Sequence, residues 1–239
     1  MSETIRPGAL YVVSTPIGNL GDISYRAAQI LGGVDLVAAE DTRTTGILLN
    51  HLSLKKPLVS YFSRNEKRRV PALLQKLAEG QSIAIVTDAG TPGISDPAYV
   101  IIKHAIAAGY PVIPVPGPSA LLAALVVSGL PTDRFVFEGF LPLKKGRKTC
   151  LDQISRENRT VVIYESPYRV MKTLEELGAA CGDRDVAVVR EITKKFEQVI
   201  RGKITEVVLE MRRATPRGEY VIVLAGLGYI SGGVGQDQY

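Results

Sequence analysis

The stretch of the sequence best suited to hold a ligand is residues 86–97, which read VTDAGTPGISDP. An apolar run at 83–86 enters a loop containing Gly90 and Gly93, and this loop leaves through Asp96-Pro97 into a pattern with helical spacing. The aspartate suits an N-cap and the proline suits a first helical position, so we predict a strand, a glycine-containing loop and a capped helix. Such a junction places free backbone N–H groups at the carboxyl edge of a sheet, where nucleotide-like ligands bind in open α/β folds.

Nucleotide-binding motifs that the sequence lacks limit the class of ligand. The sequence has no GxxxxGK[ST] motif, and residues 14–21 after the first predicted strand read STPIGNLG rather than GxGxxG. A P-loop and a dinucleotide-binding fingerprint are therefore excluded. Residues 88–90 (DAG) weakly match the acidic-glycine start of a Rossmann-type methyltransferase. They follow about the fourth strand rather than the first, which argues against that class.

Composition favours a globular protein of one large or two small domains, with 239 residues, 46% of them hydrophobic and 22% charged. No apolar run reaches the roughly 18 residues of a membrane span, and the N-terminus lacks a signal-peptide pattern, so we expect a cytoplasmic protein. Cys150 and Cys181 form no CxxC motif and are interpreted as unpaired thiols. His51 and His104 have no metal-ligand spacing, so we expect no bound metal.

Basic residues exceed acidic ones and give a net charge of +5. They occur in four local clusters: Arg64, Lys67, Arg68 and Arg69; Lys144, Lys145, Arg147 and Lys148; Lys194 and Lys195; Arg212, Arg213 and Arg217. Each cluster taken alone is consistent with a solvated helix face. Four clusters on a net-basic chain favour a polyanionic partner.

Strand-like and helix-like patterns alternate along the chain, which predicts α/β architecture with mainly parallel or mixed sheets and helices on both faces. Asp22 is expected to cap the first helix, and residues 196–201 are expected to form a short antiparallel strand. The segment PVPGP at 114–118 is interpreted either as a domain hinge or as a simple turn. We therefore expect an N-terminal α/β domain at 1–116, a C-terminal α/β domain at 117–227 and a flexible tail at 228–239.

Six polar loops follow predicted strands, and loops positioned by a rigid scaffold are where ligands usually bind. They read TPIGN, AEDTR, DAGTPGISDP, PGPSA, YESPYR and REITK, in chain order. In this order, with GFLP at 139–142, they closely resemble the ribosomal RNA small-subunit (cytidine-2'-O)-methyltransferase I family of the tetrapyrrole-methylase superfamily. The resemblance runs from about Leu10 to Leu224. It implies two α/β domains, S-adenosylmethionine held in a cleft between them, ribosomal RNA as substrate and a homodimer.

The resemblance also implies which residues hold the methyl donor: Ile17, Gly93, Ser95, Asp96, Tyr99, Ser119, Ala120, Tyr164, Arg190, Gly218 and Glu219. Glycines suit such a site because a residue without Cβ lets the backbone approach a ligand closely. Two of these residues have ordinary structural explanations as well. Asp96 is equally suited to a plain N-cap role, and Tyr164 to a core aromatic.

Methyl transfer to a ribose hydroxyl requires alignment of oxygen, methyl and sulfur, together with loss of the hydroxyl proton. Polar candidates for this work are Glu40, Asp41, Arg43, Glu165 and Lys194, although the first three could equally form a structural ion pair at a helix start. Candidates for phosphate contacts are Arg64, Arg68, Lys144, Lys145, Arg147 and Lys148. Two other functions stay open at this point: methylation of a small tetrapyrrole by the same fold, and RNA binding without catalysis.

Overall fold

The computed structural model describes residues 4–230, and the chain divides into two compact units, one ending at Ser119 and the other beginning at Ala120. Each unit contains a five-stranded sheet covered by helices. The α/β fold class with parallel and mixed sheets, predicted from the alternating pattern, is confirmed. The predicted tail falls outside the described residues except for 228–230.

The first unit is built on five parallel strands in the order β3-β2-β4-β1-β5. The strands are β1 (Leu10–Val13), β2 (Leu36–Ala39), β3 (Leu58–Ser60), β4 (Ile83–Val86) and β5 (Val112–Val115). The helices are α1 (Tyr25–Gly33), α2 (Thr42–His51), α3 (Glu66–Ala78) and α4 (Tyr99–Ala107), with a 3₁₀ turn at Leu20–Asp22.

The central strands β1, β2 and β4 of this parallel sheet are buried on both faces, which explains why they are apolar throughout rather than alternating. Successive residues of a strand point to opposite faces. Tyr11 therefore packs in the core formed with α1 and α2, whereas Leu10 packs in the core formed with α3 and α4. Because all five strands run the same way, the loops that follow them meet at one edge. The loop after β4 is flanked by those after β1 and β2.

The second unit contains a mixed sheet in the order β6-β7-β10-β8-β9. Its strands are β6 (Phe135–Phe140), β7 (Thr160–Glu165), β8 (Asp185–Arg190), β9 (Gln198–Lys203) and β10 (Tyr220–Leu224). Its helices are α5 (Ala120–Ser128), α6 (Arg147–Arg156), α7 (Val170–Cys181) and α8 (Ile204–Met211). Helices α6, α7 and α8 pack on one face, and α5 packs on the other.

The mixed topology still collects the polar loops at one edge. Strands β6 and β7 are parallel, and both β7 and β8 are antiparallel to β10, so β7 and β8 run in the same direction. Tyr220 at the start of β10 lies opposite Glu165 at the end of β7 and opposite Arg190 at the end of β8. The prediction that β9 is antiparallel is correct, since it pairs antiparallel with β8.

Two predicted helix caps are wrong. Ser24, not Asp22, caps α1, and its hydroxyl accepts a hydrogen bond from the Ala27 N–H, because Asp22 already belongs to the preceding 3₁₀ turn. Helix α4 begins at Tyr99 after Ala98, so Asp96 does not cap it. The loop after β4 needs two more residues to reach the helix than the sequence pattern indicated.

None of the helices described between residues 4 and 230 is long and apolar enough to cross a membrane.

Candidate active site

The loop after β4 is held to the loop after β1 by a short two-stranded bridge. The Thr15 N–H donates to the Gly90 carbonyl at 2.9 Å, and the Gly90 N–H donates to the Thr15 carbonyl at 3.1 Å. The buried Thr15 hydroxyl also donates to the Thr87 carbonyl at 3.0 Å. Hydroxyls of Ser14 and Thr91 lie 2.9 Å apart and link the same two loops. The loop is therefore a fixed structure rather than a loose connection.

Beyond this bridge the backbone adopts conformations that most side chains avoid. Gly93 has φ of +87°, and Ser95 has φ of +67°. Ser95, Glu191 and Thr193 are three of the four non-glycine residues with positive φ in the described part of the chain, and all three lie in the candidate loops. Strain of this kind concentrates at functional sites. A Cβ on Gly93 would meet only the Ala98 side chain, at 3.9 Å, so the space above this glycine is open.

A cluster of three carboxylates, Glu40, Asp88 and Asp96, lies where β2 and β4 end. The Thr87 hydroxyl donates to Glu40 Oε2 at 2.5 Å, and the Asp88 N–H donates to the same oxygen at 3.3 Å. Burial raises the pKa of Asp96 to about 6, with further contributions from the negative charges of Glu40 and Asp88. Burial and Glu40 likewise raise the pKa of Asp88. The charged groups that act on Asp96 are both carboxylates, so the surroundings of Asp96 favour a cation.

Asp41 and Arg43 form a separate, exposed arrangement at the start of α2. Asp41 caps the helix by accepting from the Arg43 N–H at 2.8 Å, and the Arg43 guanidinium contacts its Oδ2 at 2.5 Å. Hydrogen bonds from Arg43 lower the pKa of Asp41 to about 2. The Asp41 N–H donates to Asp88 Oδ1 at 3.1 Å, which connects the Asp41–Arg43 pair to the cluster of three carboxylates. The Arg43 side chain is 90% exposed and is free of packing constraints.

Different environments surround four other predicted donor residues: Ile17, Tyr99, Ser119 and Ala120. Ile17 is buried, and its side chain lies beside Gly90. Tyr99, the first residue of α4, is 67% exposed. Ser119 and Ala120 are partly buried at the start of α5. The structure thus gathers Ile17 with the loop after β4, while Tyr99 is available to solvent.

In the second unit Tyr164 connects β7 to α5. Its hydroxyl accepts a hydrogen bond from the Leu121 N–H at 3.0 Å, in the first turn of α5. Its ring makes edge-to-face contacts with Phe137 and Phe140, at centroid distances of 4.9 and 5.7 Å. Tyr164 therefore packs as an aromatic side chain and also fixes the start of α5, while its contact with the methyl donor stays a prediction.

Lys194, Glu191 and Glu219 form an ionic cluster where β8 ends and β10 begins. Lys194 Nζ lies 3.0 Å from Glu191 Oε1 and 2.5 Å from Glu219 Oε2. Burial favours the neutral amine, but the two carboxylates outweigh it and raise the pKa of Lys194. The lysine is thus held as a cation and is unsuited to accept a proton.

Two backbone features brace this cluster. A Cβ on Gly218, where φ is +83°, would overlap the Glu191 side chain, so only glycine fits there. Arg190 Nε donates to the Arg217 carbonyl at 2.8 Å and ties the end of β8 to the segment before β10. The structure thus brings Arg190, Gly218 and Glu219 together at one edge of the second sheet, while their contact with the methyl donor stays a prediction.

Two sequence-based candidates need correction because the fold buries them. Glu165 is 2% exposed and uses its oxygens internally: it accepts from the Thr173 hydroxyl at 2.8 Å and lies 3.4 Å from the Arg169 guanidinium. Arg147 is 7% exposed and pairs with Glu176 at 2.5 Å. Glu165 therefore cannot touch a substrate as a catalytic group, and Arg147 cannot contact phosphates.

The other phosphate candidates are on the surface. Arg64, Arg68, Lys144, Lys145 and Lys148 are all exposed. Sequence reasoning did not single out Thr15 or Thr87. The Thr15 hydroxyl donates to the Thr87 carbonyl at the start of the loop after β4, and the Thr87 hydroxyl donates to Glu40. A signal existed in the sequence for Thr87, which is a hydroxyl residue directly after the fully apolar strand β4. Thr15 is separated from β1 by Ser14, so its position alone does not distinguish it. Between residues 4 and 230 no group of three or more metal-ligating side chains could hold a metal ion.

Comparison with known families gives the class of protein: the parallel unit and the mixed unit belong to a methylase of the tetrapyrrole type. The family model of the Tetrapyrrole (Corrin/Porphyrin) Methylases matches residues 9–208. The methyltransferase CobJ has a similar fold, with a TM-score of 0.69 at 19% identity over 95% of this chain and 97% of that one. Uroporphyrin-III C-methyltransferase from Thermus thermophilus, complexed with S-adenosyl homocysteine, gives 0.64 at 19% identity over 91% of this chain and 97% of that one.

Relatives with higher identity specify the family further. A ribosomal RNA small subunit methyltransferase I from Thermotoga maritima is 47% identical over 92% of this chain and 99% of its own length. The protein of that name from Synechocystis is 49% identical over 92% of this chain and 79% of its own length. The chain therefore belongs to the ribosomal RNA small subunit methyltransferase I family, and the family predicted from the loop motifs is confirmed.

Proposed function

We propose that this chain transfers a methyl group from S-adenosylmethionine to the ribose 2'-hydroxyl of a cytidine in small-subunit ribosomal RNA. Support for an RNA methyltransferase comes from the family and from relatives at 47% and 49% identity. S-adenosylmethionine is the methyl donor that fits a methyltransferase family, and a neighbour of the same fold holds its demethylated product. The cytidine and the 2'-oxygen come from the motif resemblance.

The observation that carries the proposal is the anionic edge of the first sheet. Asp96 is partly buried, its pKa is raised to about 6, and the groups that act on it include two further carboxylates and no cation. A partly buried carboxylate beside two like charges is unfavourable when ionised, and a ligand that supplies a positive charge relieves this. A sulfonium donor has that charge, and the open space above Gly93 admits it. The residues present therefore fit this cofactor.

Within this proposal, the donor is held from the first unit by Ile17, Gly93, Ser95, Asp96 and Tyr99. Further contacts come from Ser119 and Ala120 at the start of α5, and from Tyr164, Arg190, Gly218 and Glu219. When bound, S-adenosylmethionine supplies an electrophilic methyl group on a good leaving group. The protein then has to position the ribose hydroxyl in line with that methyl group.

Positioning is also the role we assign to Asp41 and Arg43. A carboxylate with a pKa of about 2 is a weak proton acceptor, so Asp41 is unsuited to general-base catalysis. Its ion pair instead orients the exposed guanidinium of Arg43 beside the cluster of three carboxylates. There the guanidinium can donate to the ribose or to a phosphate. Glu40 supports this arrangement through Thr87 and Asp88. Lys194 acts as a fixed cation.

We further propose that Arg64, Arg68, Lys144, Lys145 and Lys148 contact RNA phosphates. These exposed cations fit a polyanion, and the protein would act in the cytoplasm, where ribosomal RNA is found. A homodimer is also proposed. Its support is the apolar surface of α5, where Leu122 is 52% exposed and Val126 is 70% exposed one turn later.

The decisive experiment measures transfer of tritiated methyl from labelled S-adenosylmethionine to small ribosomal subunits, to naked small-subunit RNA and to a porphyrinoid. Nuclease digestion of labelled RNA should release 2'-O-methylcytidine. Asp96→Asn should weaken donor binding in calorimetry, and Asp22→Asn serves as the control because it removes an exposed carboxylate elsewhere. Label in the porphyrinoid alone, or in a base rather than a ribose, would contradict the proposal.

A further inference from the structure

Two neighbouring loops of the second unit expose apolar rings and lysines together. Phe140 at the end of β6 is 56% exposed, Leu143 is 74% exposed, and Tyr168 in the loop after β7 is 96% exposed. Lys144, Lys145 and Lys148 are exposed in the same region of the chain. We call these six residues the lysine–aromatic surface. Single exposed apolar residues are common, but a group of three on adjoining loops is typical of an interaction site.

The two loops adjoin because of the sheet register and direct hydrogen bonds. Strands β6 and β7 are parallel, with Phe140 opposite Tyr164, so the loops that follow them start side by side. The Arg169 guanidinium, next in sequence to Tyr168, donates to the Leu141 carbonyl of the other loop at 2.6 Å. The positions of the aromatic ring and the lysine-rich loop are thereby linked.

A buried ionic network fixes both loops from below. Arg147 donates to the Pro142 carbonyl at 3.1 Å and to the Thr173 hydroxyl at 2.8 Å. That hydroxyl in turn donates to Glu165, which lies at the start of the other loop and 3.4 Å from Arg169. A buried network whose members are all bonded is rigid. The backbone that carries the lysine–aromatic surface is therefore preorganised, which lowers the entropic cost of ordering the two loops on binding.

The buried network does not neutralise the lysines above it. Its two carboxylates, Glu165 and Glu176, are engaged by Arg169 and Arg147. Over residues 4–230, Lys144, Lys145 and Lys148 form no ion pair. Exposed cations beside exposed aromatic rings match an unpaired polynucleotide, whose phosphates bind lysines and whose bases stack on rings. A duplex can satisfy only the cations, because its bases are already stacked.

We propose that the lysine–aromatic surface binds unpaired nucleotides of the RNA substrate, with Tyr168 as the principal stacking residue and the three lysines as phosphate contacts. The inference rests on the proposed function and adds to it that the recognised RNA segment is single-stranded. Phe140 contributes a second ring, although its contact with Tyr164 makes it a less clean position to alter.

The test compares binding of a fluorescein-labelled oligocytidine with binding of a fully paired RNA hairpin of the same length. Tyr168→Ala should weaken oligocytidine binding roughly five- to a hundredfold and leave the hairpin unaffected. Tyr168→Phe keeps the ring and should stay within about twofold of the parent. Tyr25→Ala is the matched control, because Tyr25 is a 94% exposed tyrosine of the first unit.

Changing Lys144, Lys145 and Lys148 together to alanine should weaken the binding of both the oligocytidine and the hairpin. The log–log salt slope for the oligocytidine should flatten by about 0.7 for each lost contact. In methyl transfer, Tyr168→Ala should raise the KM for RNA with the affinity for S-adenosylmethionine unchanged, since a contact to the RNA alone does not affect the donor.

Equal effects of Tyr168→Ala on oligocytidine and hairpin, or no difference from Tyr25→Ala, would overturn the stacking role. Those results would leave the proposed function intact if the parent still methylates ribosomal RNA. A parent protein that binds S-adenosylmethionine but neither binds nor methylates RNA would instead refute the proposed function.

Discussion

Replacing Asp96 with asparagine should stabilise the protein at neutral pH and weaken its binding of a cationic donor. Burial and the charges of Glu40 and Asp88 raise the pKa of Asp96 from 3.8 to about 6. The folded state therefore favours the protonated carboxyl. Stability from this group is fully present below about pH 4 and is lost as the pH rises through about 6. Asparagine keeps the size of the side chain and carries no charge at any pH.

The magnitude follows from the distance between the two pKa values. The two pKa values differ by about 2, and each pKa unit is worth about 1.4 kcal/mol, which gives about 3 kcal/mol for a group fully shielded from solvent. Asp96 is only partly buried, so solvent screening reduces the effect, and we expect a gain of about 1 to 2 kcal/mol in the free energy of unfolding at about pH 8. At about pH 4 the gain should be close to zero.

Urea unfolding of parent and Asp96→Asn at several pH values measures this difference directly, with Asp22→Asn as the control. Other carboxylates titrate in the same range, but they are common to both proteins and cancel in the comparison. Calorimetry with S-adenosylmethionine should show roughly tenfold weaker binding for Asp96→Asn at about pH 8. Parent affinity should fall below about pH 6, where Asp96 becomes protonated. A variant that is less stable than the parent at about pH 8 would refute the argument.

Three further predictions concern single residues. Gly93→Ala should weaken donor binding while costing as much stability as Gly109→Ala, because both glycines have positive φ in open surroundings. Equal donor affinities of Gly93→Ala and the parent in calorimetry would contradict the placement of the donor. Arg43→Ala should lower single-turnover methyl transfer roughly a hundredfold with an unchanged melting temperature, since the Arg43 side chain is exposed and its ion pair with Asp41 is at the surface. A lower melting temperature with full activity would show a purely structural pair. Arg147→Ala should cost about 3 to 5 kcal/mol in urea unfolding because it leaves buried partners unsatisfied, and a loss under about 1 kcal/mol would argue against its burial.

Much of the fold could be predicted because it depends on local patterns. Apolar runs such as Leu10–Val13 and Ile83–Val86 are strands in the structure, since a sheet buried on both faces needs them to be apolar throughout. The ordered loop motifs identified the family. Strand order was not accessible in the same way. The position of β4 between β1 and β2 depends on pairings between residues distant in the sequence.

Helix starts were the least predictable local feature. Asp96-Pro97 matches the residue preferences of a cap, yet α4 begins only at Tyr99. Capping depends on backbone conformation as well as residue type, and here the loop takes a positive φ at Ser95 and the N-cap position falls on Ala98. The aspartate instead lies among carboxylates from the adjacent strand ends.

The sequence by itself determined the class of fold, the family and the basic character of the loop at 144–148. Only the tertiary structure decided that Arg147 is buried while Lys144, Lys145 and Lys148 are exposed. The acceptors that draw Arg147 inward, Thr173 and Glu176, lie on a helix that begins more than twenty residues later. A local run of basic letters contains no information about such partners, because burial of a charge depends on groups that only the folded chain brings within bonding distance.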